Sequence, residues 1–365
     1  RAALVKEVPE MEENYEMKIN AWPSKTWHWL HLNDTTIQWK PAPAPCQVLT
    51  EGGKPFEVSE EEKQAVETGA GKEADVLFTD PDVSGYGIQA DETNKGETVR
   101  MTIGSREAEG SAGMLFVKAE KESELTLIQT FPEGNLPADR LAFRTQIRAK
   151  AGSKIRLVQI FMQSEQTELL NDIGCTCEEG AKFELLQMVI GRGNLYNGIR
   201  TDLNGAASDV QIAIGYLGQK MQILDINLIV NHFGKKTNSL IQVDGTLKDS
   251  AQKIFRGSID FKNGSSESKG AETENVLLLG DDVVNKTIPL ILCAEEDVEG
   301  SHGATIGELD EDTLFYFAAR GIGAETAEDI MAKGKMEVLY RQIRDEETET
   351  LVEKQLAEVM AYDRA

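Results

Sequence analysis

Ala151-Gly152-Ser153-Lys154-Ile155-Arg156-Leu157, Glu179-Gly180-Ala181-Lys182-Phe183-Glu184-Leu185 and Ala206-Ala207-Ser208-Asp209-Val210-Gln211-Ile212 open in similar ways. In each, small turn residues lead into a run that alternates polar and apolar side chains, the period of a half-buried β-strand. Outward from these, Lys154 to Phe161, Lys182 to Ile190, Asp209 to Leu217, Met221 to Val230, Ser239 to Leu247 and Lys253 to Phe261 continue the pattern. Asn204-Gly205-Ala206 and Gly234-Lys235-Lys236 punctuate them. Most gaps leave no room for a helix of about 10 to 15 residues, which argues against a doubly wound sheet or a barrel of alternating strands and helices. Residues 99–290 are therefore expected to be mainly β. Strands at short, repeated intervals suit either a sandwich or a parallel β-helix. The recurring openings favour the β-helix, because a solenoid grows coil by coil and tolerates irregular spacing.

The flanks differ in character. In residues 1–98, read as a helical or arm region, all four tryptophans (Trp22, Trp27, Trp29, Trp39) precede the alternating prolines Pro41, Pro43 and Pro45. Large aromatic side chains can dock an arm onto a folded body, and the prolines stiffen its exit. Ser59-Glu60-Glu61-Glu62 is a capping box that predicts a helix of about ten residues, with Gly69 as its stop. Gly69-Ala70-Gly71-Lys72-Glu73 is not a phosphate loop, since Val66 stands where the first glycine belongs and Glu73 where the metal-binding hydroxyl belongs. Residues 291–365 are read as a C-terminal helical domain. Helices are expected over Thr313 to Arg320, Glu325 to Lys333 and Asp345 to Tyr362, the last carrying Leu351, Val352, Leu356, Val359 and Met360 as an apolar stripe for packing or docking.

The chain has 365 residues, enough for two or three domains. Its 62 acidic against 38 basic side chains give a net charge of -24, a field that repels phosphate backbones and anionic lipid surfaces. Neither nucleic acid nor membrane is expected as a partner. No run approaches the roughly 18 apolar residues of a membrane span, and Arg1 to Glu10 lacks the apolar stretch of a signal peptide, so the expected location is cytoplasmic. Four cysteines in so long a chain do not form a disulfide framework.

Candidates for chemistry are few. His28 and His31 lack recognisable further metal ligands, and His232 at the end of an apolar strand reads as a satisfied core or turn histidine. Cys175 and Cys177 share one face of a strand and read as buried thiols. Cys293 shares that reading, although it lies close enough in sequence to meet His302. His302 itself sits among the small residues Gly300, Ser301, Gly303 and Ala304, in what reads as a loop between the last strands and the first C-terminal helix. A neutral imidazole there suits iron, zinc or copper, or caps a turn. No serine or cysteine lies in a nucleophile elbow.

Thr287-Ile288-Pro289-Leu290-Ile291-Leu292-Cys293 is followed by Ser301-His302-Gly303-Ala304-Thr305-Ile306-Gly307, then Leu309-Asp310-Glu311-Asp312, Leu314-Phe315-Tyr316 and Arg320-Gly321-Ile322. This order resembles the SufB/SufD family of iron-sulfur cluster assembly proteins, and Trp22-Pro23 with Thr26-Trp27-His28-Trp29 looks like a divergent form of its entry segment. Gly303, where the B subunit has a glutamate, makes the resemblance closest to SufD. Glu274 and Val283, where the B subunit has cysteines, point the same way. The resemblance implies a right-handed parallel β-helix with N- and C-terminal helical regions, and a scaffold rather than an enzyme. It implies pairing with a SufB-like subunit and contact with a SufC-like ABC ATPase through the C-terminal helices; the open solenoid end leaves a homodimer as the alternative pairing. His302 becomes the one position carried over as a ligand for iron or a nascent iron-sulfur cluster, shared with a partner subunit rather than held by this chain alone. Nucleotide binding would belong to the ATPase. The alternative is a β-helix polysaccharide lyase or hydrolase using Asp225, Asp244 and Asp260 as paired carboxylates. Its weakness is an aromatic content of only 6% and tryptophans that all lie outside the strand block.

Overall fold

A computed structural model of the chain describes residues 15–24, 30–39, 44–79, 83, 85–106, 110–134 and 140–362. Trp27, Trp29, His28, Pro41 and Pro43 lie outside these residues. The N-terminal part holds short strands: β1 (Tyr15–Ile19), β2 (Thr35–Trp39), β3 (Ala44–Pro45), β4 (Gln47–Glu51) and β5 (Lys54–Pro55). Helix α1 (Glu60–Gln64) and a 3-10 segment, Lys72–Phe78, follow. The solenoid strands are then β6 (Tyr86–Ala90), β7 (Glu97–Gly104), β8 (Ser111–Ala119), β9 (Glu124–Phe131), β10 (Arg140–Ala149), β11 (Lys154–Phe161), β12 (Glu168–Cys177) and β13 (Lys182–Val189). They continue as β14 (Asn194–Leu203), β15 (Asp209–Gly218), β16 (Ile223–His232), β17 (Asn238–Lys248), β18 (Gln252–Phe261), β19 (Ser268–Leu279), β20 (Val284–Cys293) and β21 (Val298–Gly307). Helices α2 (Glu311–Ala318), α3 (Ala324–Tyr340) and α4 (Glu346–Tyr362) close the chain.

Even-numbered strands from β6 to β20 stack in one parallel sheet and odd-numbered strands from β7 to β21 in a second. The chain alternates between them, which makes a parallel β-solenoid of about seven turns. The repeated openings of the sequence are the corners of this solenoid. At one corner a residue of each coil adopts a left-handed backbone: Glu122, Gly152, Gly180, Ala207, Lys236 and Glu267. These corners bond directly to one another, Gly152 N donating to Glu179 O at 2.8 Å and Gly180 N to Ala206 O at 2.9 Å. Satisfying the corner amides from the next coil lets Ala207, Lys236 and Glu267 hold a backbone that otherwise favours glycine.

Between the sheets lies an apolar core that includes Leu157, Phe161, Phe183, Ile212, Leu228 and Phe255. An amide column runs through it. Gln159 Nε2 donates to Gln129 Oε1 (2.8 Å) and Asn171 Oδ1 (3.0 Å), while Gln187 Nε2 donates to Gln159 Oε1 (2.7 Å). Asn171 Nδ2 donates to Asn197 Oδ1 (2.8 Å), so amides from both sheets are tied across the interior. All five side chains are fully buried, so each bond replaces water that cannot enter.

The N-terminal part lies against the first sheet. Trp39 and Trp22 are buried, and Trp22 Nε1 donates to Ser258 Oγ at 2.9 Å, as an aromatic anchor requires. The expected helical character is limited. The Ser59–Glu62 capping box is present, but α1 spans only five residues. Gly69 does not stop it. Instead Gly69 N donates to Ile173 O (3.0 Å) and Ala70 N to Asp172 Oδ1 (2.8 Å), and a Cβ at Gly198 would collide with the backbone of Gly69 and Ala70. Gly69 and Gly198 are there for close approach of arm and sheet. On the second sheet, α3 and α4 bury Met336, Leu339, Val352, Leu356 and Val359 against Ile128, Val158, Ile160 and Met188. The apolar stripe of the last helix is thus, at these positions, an internal packing face.

The solenoid also runs further than residue 290. Pro289 sits within β20, and Val298–Gly307 is a strand rather than the start of a helical domain. A proline is tolerated there because β20 is the edge strand of its sheet among the described residues.

Candidate functional site

The last coil, β20 and β21, ends both sheets. Nine of the ten residues of β21 are exposed, whereas β19 alternates buried and accessible positions. The difference follows from position: β19 is covered by β21, and nothing covers β21 among the described residues. His302 lies in this strand, exposed, not in the loop expected from its glycine-rich neighbours. Such open edges are a template for pairing with another chain.

The register fixes what surrounds His302. It pairs with Glu272 on β19. A Cβ at Gly300 would lie 3.0 Å from Ile291 Cγ2 and 3.2 Å from Phe261 Cε2, so Gly300 faces the interior opposite Ile291. By strand alternation His302 takes the same inward face two residues on, opposite Pro289. One coil deeper, Gly257 pairs with Pro289, and Glu272 fills the space in front of Gly257, where a Cβ would collide with its carboxylate. Cys293 is exposed and stands two residues beyond Ile291 in the other direction. That offset of four strand positions, roughly 13 Å at about 3.3 Å per residue, keeps Cys293 from joining His302 within the coil.

Below His302 the interior turns polar. Lys253 and Glu274 form a fully buried ion pair, and Lys253 Nζ also donates to Thr287 Oγ1 of the last coil at 3.1 Å. Burial depresses the lysine's pKa against the pull of Glu274. Glu272 is 5% exposed, and no side-chain hydrogen bond to it is seen among the described residues. Burial, then repulsion from Glu274, push its carboxyl up to about 7, opposed by Lys253. Sequence reasoning missed Glu272 and Lys253. The only signal was their position on strands whose neighbours Ala271, Thr273 and Phe255 give no clean alternation.

The remaining candidates are placed as follows. His232 is buried, with Nδ1 2.7 Å from Thr237 Oγ1 and Nε2 2.9 Å from Ser239 Oγ. Cys175 and Cys177 are buried in the core with sulfurs 3.8 Å apart, and burial holds the Cys175 thiol well above its ordinary range. Asp225 bonds Arg256 Nη1 (2.8 Å) and Asn20 Nδ2 (2.6 Å), clamping the arm. Asp260 pairs with Lys262 on the same sheet, and Asp244 is on the other sheet with Asn275 Nδ2 (2.8 Å). The three carboxylates do not converge on one cleft. A cavity of about 830 Å³ lies away from the last coil, beneath α1 and Lys72–Phe78. Its Arg144 and Arg200 are engaged by Asp172 and Asp202.

No group of three or more histidine, cysteine, aspartate or glutamate side chains among the described residues could hold a metal ion. An imidazole at an open edge, a carboxylate beneath it and a distant thiol are an incomplete donor set for a cluster, which is ordinarily held by several thiolate or imidazole ligands.

These features define a β-solenoid protein with an open, histidine-bearing end. The family model described as SUF system FeS cluster assembly, SufBD core domain, matches residues 101–335. The chain belongs to that family. It is 27% identical over 199 residues to the iron-sulfur cluster assembly protein SufD of Bacillus subtilis (strain 168), covering 54% of this chain and 45% of the relative. To SufD of Escherichia coli (strain K12) it is 24% identical over 224 residues, covering 61% and 53%. A chloroplastic SufBD family protein of Arabidopsis thaliana, ABCI8, is 28% identical over 130 residues, 36% of this chain and 23% of the relative. The chain spans about half the length of the SufD proteins it matches. No helix among the described residues is long and apolar enough to cross a membrane.

Proposed function

We propose that this chain is a SufD-like scaffold subunit for iron-sulfur cluster assembly in the cytoplasm, without turnover of its own. The observation that carries the reading is the uncovered last coil with His302 on it. An edge of two parallel sheets left open in this way is completed by pairing, and His302 then faces a second subunit's donors. A SufB-like subunit is the proposed partner on this end, with the nascent cluster as shared cargo. A homodimer through the same coil is the competing outcome.

Helix α2 supports the contact with a SufC-like ABC ATPase. Unlike α3, it buries no residue, and its Phe315 and Tyr316 are 73% and 54% exposed. Aromatic side chains held on a rigid helix are the usual anchors of an interface. The test is co-expression with SufB-like and SufC-like proteins and measurement of complex mass. Ile306→Glu, on the open strand, should abolish pairing with the SufB-like chain, and Phe315→Ala with Tyr316→Ala should release the ATPase alone. Failure of the unaltered chain to associate with either protein would overturn the reading.

A further inference from the structure

Glu272 is a buried carboxyl, among the described residues, that no ion pair or hydrogen bond accounts for. The residue is 5% exposed, no hydrogen bond to its carboxyl is seen among the described residues, and it stands beside Glu274, which is paired with Lys253. Burying an unpaired carboxylate costs stability that glutamine or an apolar side chain would not. Gly257 leaves room opposite it: a Cβ there would lie 2.0 Å from Glu272 Oε2. A carboxyl group is thus seated inside the solenoid, facing glycine on the opposite sheet. It lies one strand deep, directly beneath His302.

We propose that Glu272 is a second ligand from this chain for a divalent cation that enters at the open coil and binds His302. Neighbouring parallel strands are about 4.8 Å apart, so an inward-facing imidazole and a carboxylate on adjacent strands can reach one ion between them. Carboxylate and imidazole together suit Fe²⁺ and its analogue Co²⁺. The facing residue on β20, Pro289, offers no donor, and Thr287 Oγ1 is engaged by Lys253. Two protein ligands leave the remaining positions to water or to a subunit seated on the coil. Lys253 and Glu274 then keep a charge-balanced floor beneath the ion, and Glu272 coordinates it as the carboxylate, releasing its proton on binding. The inference rests on the cluster-scaffold reading of this end and adds to it a residue and an ion of stated chemistry.

The experiment is calorimetric titration of the full chain with Co²⁺ in oxygen-free buffer, together with the paramagnetically shifted NMR signals of a Co²⁺-bound imidazole. The unaltered chain should bind one Co²⁺ and show one shifted imidazole that is absent from His302→Ala. Glu272→Gln, which keeps the shape and removes an unfavourable buried charge, should fold normally by circular dichroism. It should weaken binding by about tenfold or more while the His302 signal persists at saturating Co²⁺. Glu299→Gln, an exposed carboxylate on the same strand as His302, should bind as the unaltered chain does. Binding by Glu272→Gln within twofold of the unaltered chain, equal loss in Glu299→Gln, or no Co²⁺ binding by the unaltered chain would each overturn the inference. None of these results bears on complex formation with SufB-like and SufC-like proteins, which tests the scaffold reading separately.

Discussion

His232 gives the fold a proton-linked weak point whose size can be worked out. Its ring is fully buried against Phe261, with centroids 4.6 Å apart, and both ring nitrogens bond hydroxyls, of Thr237 and Ser239. Burial pulls its pKa from 6.5 down to about 4. A base held neutral by the fold contributes stability that is present above the unfolded pKa and is lost as pH falls through the folded one. The loss therefore develops between about pH 6.5 and 4. At ~1.4 kcal/mol per pH unit it amounts to about 3 kcal/mol. His232→Phe keeps the ring and removes the titration, while leaving the Ser239 hydroxyl without its partner, a cost of about 1–3 kcal/mol at pH 8. Urea unfolding followed by circular dichroism at pH 8, 6, 5 and 4 compares the two proteins. The advantage of the unaltered chain at pH 8 should shrink by about 3 kcal/mol by pH 4 and vanish or reverse. A constant difference across that range would refute the reasoning.

Three further outcomes follow from the same contacts. Lys253→Met should destabilise by about 3–5 kcal/mol by stranding the buried Glu274 carboxylate, and adding Glu274→Leu should recover most of that loss in thermal melts; equal melting of single and double variants would contradict the ion-pair account. Gln159→Leu leaves the buried amides of Gln129, Asn171 and Gln187 short of partners, so amide exchange in β11, β12 and β13 should speed up as stability drops by about 1–3 kcal/mol, and unchanged protection would count against the column. Asp225→Ala removes the group that ties Arg256 and Asn20 together and strands the buried Arg256 guanidinium, so limited proteolysis should cut ahead of residue 44 faster than in the unaltered chain and stability should fall by about 3–5 kcal/mol; unchanged cleavage would count against the clamp.

The solenoid was legible where one face of a strand meets solvent. Lys154 to Phe161 and Lys182 to Val189 begin with an exposed lysine and alternate outward Arg156 and Glu184 with inward neighbours, which is the pattern the sequence displays. Glu168–Cys177 and Asn194–Leu203 were harder to single out. The arm covers the outer face of their sheet, Asp172 and Asn171 are both buried, and the two-residue period is lost. The last coil failed for the opposite reason. With nothing packed on it among the described residues, Gly300-Ser301-His302-Gly303 needs no apolar side chain on its inward face, and its small residues read as a loop. His302 was found through its family motif. Glu272 could not be, because what singles it out is Gly257 across the interior, fifteen residues earlier and on the other sheet.

The central claim is that the open coil completes a cluster site with a second subunit through His302. The direct measurement is anaerobic reconstitution of the chain co-purified with its SufB-like and SufC-like partners, reading subunit stoichiometry and cluster absorbance with and without His302→Ala. The account predicts a stable complex in both cases and cluster absorbance that falls sharply only in the variant. Undiminished absorbance from an intact His302→Ala complex would contradict it.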